Sequence, residues 1–280
     1  MPLAAARELL AAAERGGFAL PAFNASTPAM ALGVLDAAEA LRAAVLLQLN
    51  AGNAEAMGGL EAAAAYLRAL AADAGVPVGI HLDHGADAAV LRRAVDAGFT
   101  SVMFDGSTLP YEQNVRETRV ARATVAAGGV ALEAELGHVG GGEPGVVTSE
   151  TELTDPILAA AFVAATGVDA LAVSVGTAHG RAGTVDIALL REIRRRTEGL
   201  PLVLHGGSGV RPDALAAAVS AGVRKVNISR EIHRAVAAAL ARSLRGDAED
   251  PRPALAVARS EVAAVARVRI EALGAAASAT

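Results

Sequence analysis

Three histidines, His84, His179 and His205, each end a short apolar run: HLDHG (81–85), VGTAHG (175–180) and LVLHGG (202–207). Taken singly, each would serve equally well as a hydrogen-bonded core histidine. Three neutral imidazoles converging on one point leave a fourth position open, which is the ligand pattern of a catalytic zinc. Two glycine turns follow two of these histidines, HGR (179–181) and HGGSG (205–209). Glycines let backbone N–H groups approach an anion, and a serine hydroxyl adds a donor. Together with NISR (227–230), these turns predict a phosphate cradle beside the metal.

Such residues need elements that bring them to one place. Apolar runs at 18–23, 43–49, 77–82, 99–104, 130–135, 168–174, 200–205 and 222–228 read as strands, and alanine-rich segments with helical spacing lie between them at 27–41, 54–74, 86–97, 112–127, 156–166, 186–197 and 212–221. Eight strand-helix units predict an α/β fold of the (β/α)8 TIM-barrel kind, filling residues 1–280 as one domain. In that fold the chemistry sits at the carboxyl ends of the strands. Every end is polar here: Asn24; Gln48 and Asn50; Asp83 and His84; Asp105; Glu133 and Glu135; His179; His205; Asn227. Each buried polar group costs about 1–3 kcal/mol unless paired, so packing alone does not account for the ring. The glycine-rich connection 137–155 is expected to be a mobile functional loop, and SLRGDAEDPRP (243–253) to lead into a C-terminal helical extension. His81 lies a layer deeper than Asp83 and takes a packing or supporting role, Lys225 is an inward lysine paired with a carboxylate, and His138 and His233 are assigned to the surface.

Composition narrows the class. The chain is 53% hydrophobic but only 2% aromatic, so small side chains must pack many helices closely. A net charge of −5 and the lack of a Lys/Arg-rich block argue against a nucleic-acid partner. The absence of cysteine rules out disulfides and thiolate ligands. With no long apolar run and no signal-like start, the expectation is a soluble, cytoplasmic protein without a membrane partner.

The same residues carry a family resemblance. PAFN at 21, HLDHG at 81, DGSTLPYEQN at 105, EAELG at 133, GGGEPG at 140, LTDP at 153, TGVDALAVSVGTAHG at 166, LVLHGGSG at 202 and KVNIS at 225 resemble the zinc-dependent class II aldolases, in the ketose-bisphosphate branch that includes fructose- and tagatose-bisphosphate aldolases. The resemblance implies that His84, His179 and His205 bind Zn2+, that Asp83 is the catalytic aspartate, and that Glu143 is a loop glutamate handling the substrate proton. It implies that Asp105 and Glu135 edge the metal site, serving a shifted metal or a second mono- or divalent cation. Gly180, Gly206, Gly207, Ser208, Asn227 and Ser229 fall at the phosphate, and Asn24, Gln48 and Asn50 face the rest of a small phosphorylated sugar. A homodimer or homotetramer cleaving a ketose bisphosphate to dihydroxyacetone phosphate and an aldehyde is the implied enzyme.

Departures stand out against that pattern. Arg230 replaces the family's threonine after NIS, the segment after His179 is short, and Asn50 replaces a serine; Arg181 or Arg230 is left to supply a cation to the phosphate. Three rivals remain. A Schiff-base aldolase needs a lysine at the site, and Lys225 is the only lysine. A zinc hydrolase could use the same histidines. A non-catalytic partner subunit of an aldolase would have lost ligands, whereas His84, His179, His205 and Asp83 are all kept.

Overall fold

The computed structural model describes residues 3–126, 128–143, 146–148, 151–179, 183–244 and 249–279, with the backbone alone at 142–143 and 146–148. Its strands are β1 (Leu20–Asn24), β2 (Val45–Leu49), β3 (Val78–Gly85), β4 (Ser101–Phe104), β5 (Ala131–Leu136), β6 (Gly141–Glu143), β7 (Val146–Thr148), β8 (Ala170–Val173), β9 (Leu202–Leu204) and β10 (Val223–Ile228). All but β6 and β7 close into a parallel barrel in the order β1-β10-β9-β8-β5-β4-β3-β2. The barrel strands are buried on both faces, one lining the interior and the other lying under the helices, so they read as almost continuous apolar runs. The eight expected strands and the TIM-barrel class are those observed.

Helices begin where the sequence supplies caps. Thr27, Asp87, Asp155 and Asp186 each accept a backbone N–H of the helix that follows, and proline takes the first turn after Thr27 and Asp155. The helix expected over 54–74 is two helices, Ala51–Ala56 and Leu60–Asp73. Gly58 and Gly59 separate them at φ of +90° and +107°, which no continuing helix allows. The segment 137–155 is not irregular throughout, because β6 and β7 pair as an antiparallel hairpin and His138 bridges to Glu152.

Among the described residues, three helices lie outside the seven expected between strands. Ala6–Gly16 packs against the barrel, with Leu9 beside Leu20 and Leu46, and Leu10 beside Met103 and Val203. Arg230–Ser243 follows β10, and Arg252–Ala272 is the expected C-terminal extension. The extension lies so close to helix Pro28–Leu41 that a Cβ on Gly33 would come 2.5 Å from the Arg259 carbonyl oxygen. Arg259 clasps Asp36 across the same seam, at 2.5 and 2.6 Å.

Candidate active site

Successive residues of a strand point to opposite faces, so Asp83 and His84 should not share a site. β3 resolves this by shifting register against β4 between Leu82 and Gly85, and His84 takes a left-handed φ of +50°. The kink brings both side chains to the barrel mouth. There the His84 ring lies 5.4 Å from His179 and 4.9 Å from His205, with 5.7 Å between the latter two. One nitrogen from each lies within 4.8 Å of the others. His84 Nε2 and His205 Nδ1 are buried with no hydrogen-bond partner among the described residues, while the opposite nitrogens are taken: His84 Nδ1 by Asp105 at 2.7 Å and His205 Nε2 by Glu133 at 3.1 Å. This is how metal-binding imidazoles are held, one nitrogen oriented by a carboxylate and the other left for the ion. His179 is fixed through its backbone, its N–H donating to the Gly140 carbonyl at 2.8 Å. Gly141, at φ +109°, lies so near that a Cβ would collide with the His179 carbonyl.

The charges reinforce that geometry. Burial disfavours a charged His84, yet the Asp83 charge and the Asp105 hydrogen bond override it and raise its pKa to about 10. Burial raises Asp105, but the bond from His84 wins and holds it well below the carboxylate range. Burial, with the charge of Asp105, pushes Glu135 up to about 8, and Glu135 Oε2 has no hydrogen-bond partner among the described residues. Burial keeps His205 neutral, helped by the charge on His84. His84, Asp105 and Glu135 form a second group able to hold a cation. A divalent ion among these groups would displace the His84 proton and satisfy the orphaned atoms.

Asp83, fully buried, accepts from three side-chain amides: Asn227 at 2.9 Å, Asn24 at 3.2 Å and Gln48 at 3.2 Å. Burial opposes its charge, and the positive neighbours, His84 first, outweigh that and lower its pKa. Below the histidines, Lys225 Nζ donates to Glu133 Oε2 at 2.8 Å and approaches His81 Nε2 at 3.3 Å, and His81 Nδ1 meets Ser101 Oγ at 2.8 Å. Burial and the Lys225 charge hold the His81 pKa well below its usual value. Lys225 and His81 therefore stand as the sequence indicated, inward and supporting.

Across the mouth, Gly206 at φ +70° opens a 3-10 turn, Gly207–Gly209, and Ser208 Oγ accepts the Ser229 N–H at 3.1 Å. Ser229 caps helix Arg230–Ser243 without a side-chain bond, and its buried Oγ has no hydrogen-bond partner among the described residues. The glycine turn and the helix start are thus tied side by side, and a helix N-terminus next to such a turn is suited to an oxyanion. Arg230 is exposed on the first turn. Glu231 is clasped by Arg269, which also donates to the Val210 carbonyl at 2.8 Å and the Ser208 carbonyl at 3.3 Å. Asn50 is 2% exposed, its Oδ1 accepting the Asn53 N–H at 2.9 Å as a helix cap. Gly180 and Arg181 lie outside the described residues, as does the side chain of Glu143. A cleft of about 460 Å3 opens beside His84, walled by Ala51, Ala54, Leu82 and Val90.

Two surface assignments need correction. His138 is half-buried and meets Ser107 Oγ at 2.9 Å, and His233 is half-buried between Ser26, Asn53 and the Ser229 carbonyl. Both follow polar-looking segments whose neighbours come from distant strands, so local sequence placed them outside. The sequence reading did not single out Asn53 or Arg269. Asn53 had one signal, its position three residues after Asn50, which is capping-box spacing.

A family model described as "Fructose-bisphosphate aldolase class-II" matches residues 4–278. Fructose-bisphosphate aldolase of Geobacillus stearothermophilus is 36% identical over 274 residues, covering 94% of each chain. The crystal structure of the YdjI aldolase from Escherichia coli K12 superposes with a TM-score of 0.88 at 30% identity, covering 99% of this chain and all of that one. A putative fructose-1,6-biphosphate aldolase from Coccidioides immitis gives 0.87 at 29% identity, over 97% and 96% of the two chains. With a barrel, an imidazole triad and matches running from end to end, the chain belongs to the class II fructose-bisphosphate aldolase family.

Proposed function

We propose that the protein is a zinc-dependent aldolase, working as one domain over residues 1–280, that reversibly cleaves a phosphorylated ketose to dihydroxyacetone phosphate and an aldehyde. Fructose and tagatose 1,6-bisphosphates are the first substrates to try, given what the relatives are named for. The observation that carries the reading is the buried triad whose His84 Nε2 and His205 Nδ1 lack hydrogen-bond partners among the described residues while their other nitrogens rest on Asp105 and Glu133. No described helix is long and apolar enough to cross a membrane, and the reading places the enzyme in the cytoplasm as a homodimer or homotetramer.

His84, His179 and His205 would hold the zinc, with Asp105 and Glu135 at its edge for a displaced position or a second mono- or divalent cation. Zinc bound there supplies a Lewis acid that polarises the ketose carbonyl and its neighbouring hydroxyl. The Gly206–Ser208 turn, Ser229 and Gly180 bind the phosphate of the three-carbon half, with Arg181 or Arg230 adding charge. Asp83 takes the proton from the hydroxyl next to the breaking bond. Its anion is well suited to that task, because Asn24, Gln48 and Asn227 orient it and donate hydrogen bonds to its charged form. The C–C electron pair passes into the three-carbon fragment, and Glu143 on the β6–β7 hairpin returns a proton to its carbon.

Activity of the purified protein on ketose mono- and bisphosphates, read as release of dihydroxyacetone phosphate before and after chelation, tests this. We expect about one zinc per chain, loss of activity on its removal, and loss of zinc in His205→Ala. Full activity in zinc-free protein refutes the reading.

A further inference from the structure

We infer that Arg269, on the C-terminal helix Arg252–Ala272, is a positioning residue for the substrate's phosphate: without touching it, the guanidinium fixes the Gly206–Gly209 turn against the start of helix Arg230–Ser243. The inference rests on the aldolase reading, which puts a phosphate at that turn, and it makes a helix outside the barrel part of the frame of the site.

Arg269 is 8% exposed, a depth that an arginine reaches only when its charge and its N–H groups are matched. Four of its five N–H donors are engaged. Nε and Nη2 clasp the two carboxylate oxygens of Glu231, in the first turn of helix Arg230–Ser243, the former at 2.7 Å. Nη1 donates to the Val210 carbonyl at 2.8 Å, and Nη2 also donates to the Ser208 carbonyl at 3.3 Å. The carboxylate belongs to the helix and the carbonyls to the turn, so one rigid planar group spans both pieces. Ser208 is thereby held twice, at its carbonyl by Arg269 and at its hydroxyl by the Ser229 N–H at 3.1 Å. Beside it the buried Ser229 Oγ has no hydrogen-bond partner among the described residues, a vacancy that an oxygen of a phosphate would fill.

Charge gives the clasp a second consequence. A helix start attracts anions, yet Glu231 puts a carboxylate in the first turn, two residues from Ser229. Unpaired, it would repel a phosphate at Ser229. The bidentate contact with Arg269 cancels that charge, and in doing so it also neutralises the guanidinium, which is why Arg269 positions the phosphate site and does not itself bind the anion. A lysine would keep the charge but not the span, since its three N–H groups share one atom and cannot reach a carboxylate fork and two carbonyls together.

Calorimetry on the zinc-loaded, full-length protein measures the affinities for dihydroxyacetone phosphate and for dihydroxyacetone, and their ratio isolates the share of the phosphate. Arg269→Met should lower that ratio by about 10-fold or more and raise KM for a ketose bisphosphate to match, while zinc content stays within about 2-fold and kcat within about 3-fold, the split expected when binding of a remote group is lost. Arg269→Lys should recover part of the ratio. Combining Arg269→Met with Glu231→Gln removes the uncompensated carboxylate and so protects the fold, but the turn stays untied, and the ratio should remain about 5-fold or more below wild type. The inference is overturned if this folded double variant keeps the wild-type ratio, or if zinc content and kcat fall as far as the ratio does, the pattern of general damage. A wild type that cleaves ketoses but binds both three-carbon ligands equally would take the phosphate away from the turn and overturn it as well. Absence of cleavage in the wild type would sink the aldolase reading itself, and this inference with it.

Discussion

Changing Asp83→Asn removes a charge while keeping the shape, in a pocket that leaves no doubt about what the charge was doing. Three amide N–H groups point at the carboxylate, from 2.9 and 3.2 Å. A carboxylate can accept all three, but an amide has one oxygen and must turn its own NH2 toward at least one donor. Loss of one charge-assisted bond costs about 1.5–3 kcal/mol, which for a chain of this size lowers Tm by about 3–5 °C. Cleavage suffers separately. Without a base at the substrate hydroxyl the rate should fall by about 100-fold or more, equivalent to about 2.7 kcal/mol at the barrier. The zinc ligands are untouched, so zinc content and dihydroxyacetone phosphate affinity should stay within about 2-fold. The assay measures zinc by atomic emission, product affinity by calorimetry and cleavage by coupled release of dihydroxyacetone phosphate. A variant that keeps its zinc and cleaves within tenfold of wild type would refute the role given to Asp83.

Further outcomes test the surroundings. Lys225→Met leaves Glu133 charged and buried beside His205, so stability should fall by about 3–5 kcal/mol in urea unfolding, and adding Glu133→Gln should recover most of it; borohydride treatment in the presence of substrate should leave wild-type activity intact, since inactivation would indicate a Schiff base on this lysine. Gly141→Ala drives a Cβ into the His179 carbonyl and should weaken zinc binding by about 10-fold or more in a competitive chelator titration, and an unchanged affinity would show that the hairpin does not position this ligand. Arg230→Thr should raise KM for phosphorylated substrates by about 10-fold if its guanidinium joins the phosphate, and an unchanged kcat/KM across the substrate panel would remove Arg230 from the site.

What the sequence disclosed and what it hid divide along one physical line. Strand periodicity and polar strand ends are local properties, so the eight barrel strands and the residues at their carboxyl ends could be read directly, including the inward placement of Lys225 and His81. Partnerships made across the barrel mouth are not local. His233 sits on the outer helix Arg230–Ser243, and only the closure of β1 and β2 against β10 brings Ser26 and Asn53 to its ring. Arg269, at the far end of the chain, reaches back to Ser208, Val210 and Glu231, a contact that no spacing rule anticipates.

The pair Asp83–His84 shows why such a site must depart from regular structure. A proton-transferring carboxylate and a metal-binding imidazole have to act on the same substrate atoms, and adjacency in sequence is the shortest way to keep them together. A regular strand forbids it, since it would turn one of the two into the helical layer. The register shift after Leu82 and the left-handed backbone of His84 remove the conflict, at a conformational cost of about 1–3 kcal/mol for a residue with a Cβ. Ordinary β propensity would never select that backbone. It persists because the Asp105 carboxylate holds His84 from one side and the Asp83 charge lies 3.9 Å from its other nitrogen, so the interactions that make the site are the ones that maintain its distortion.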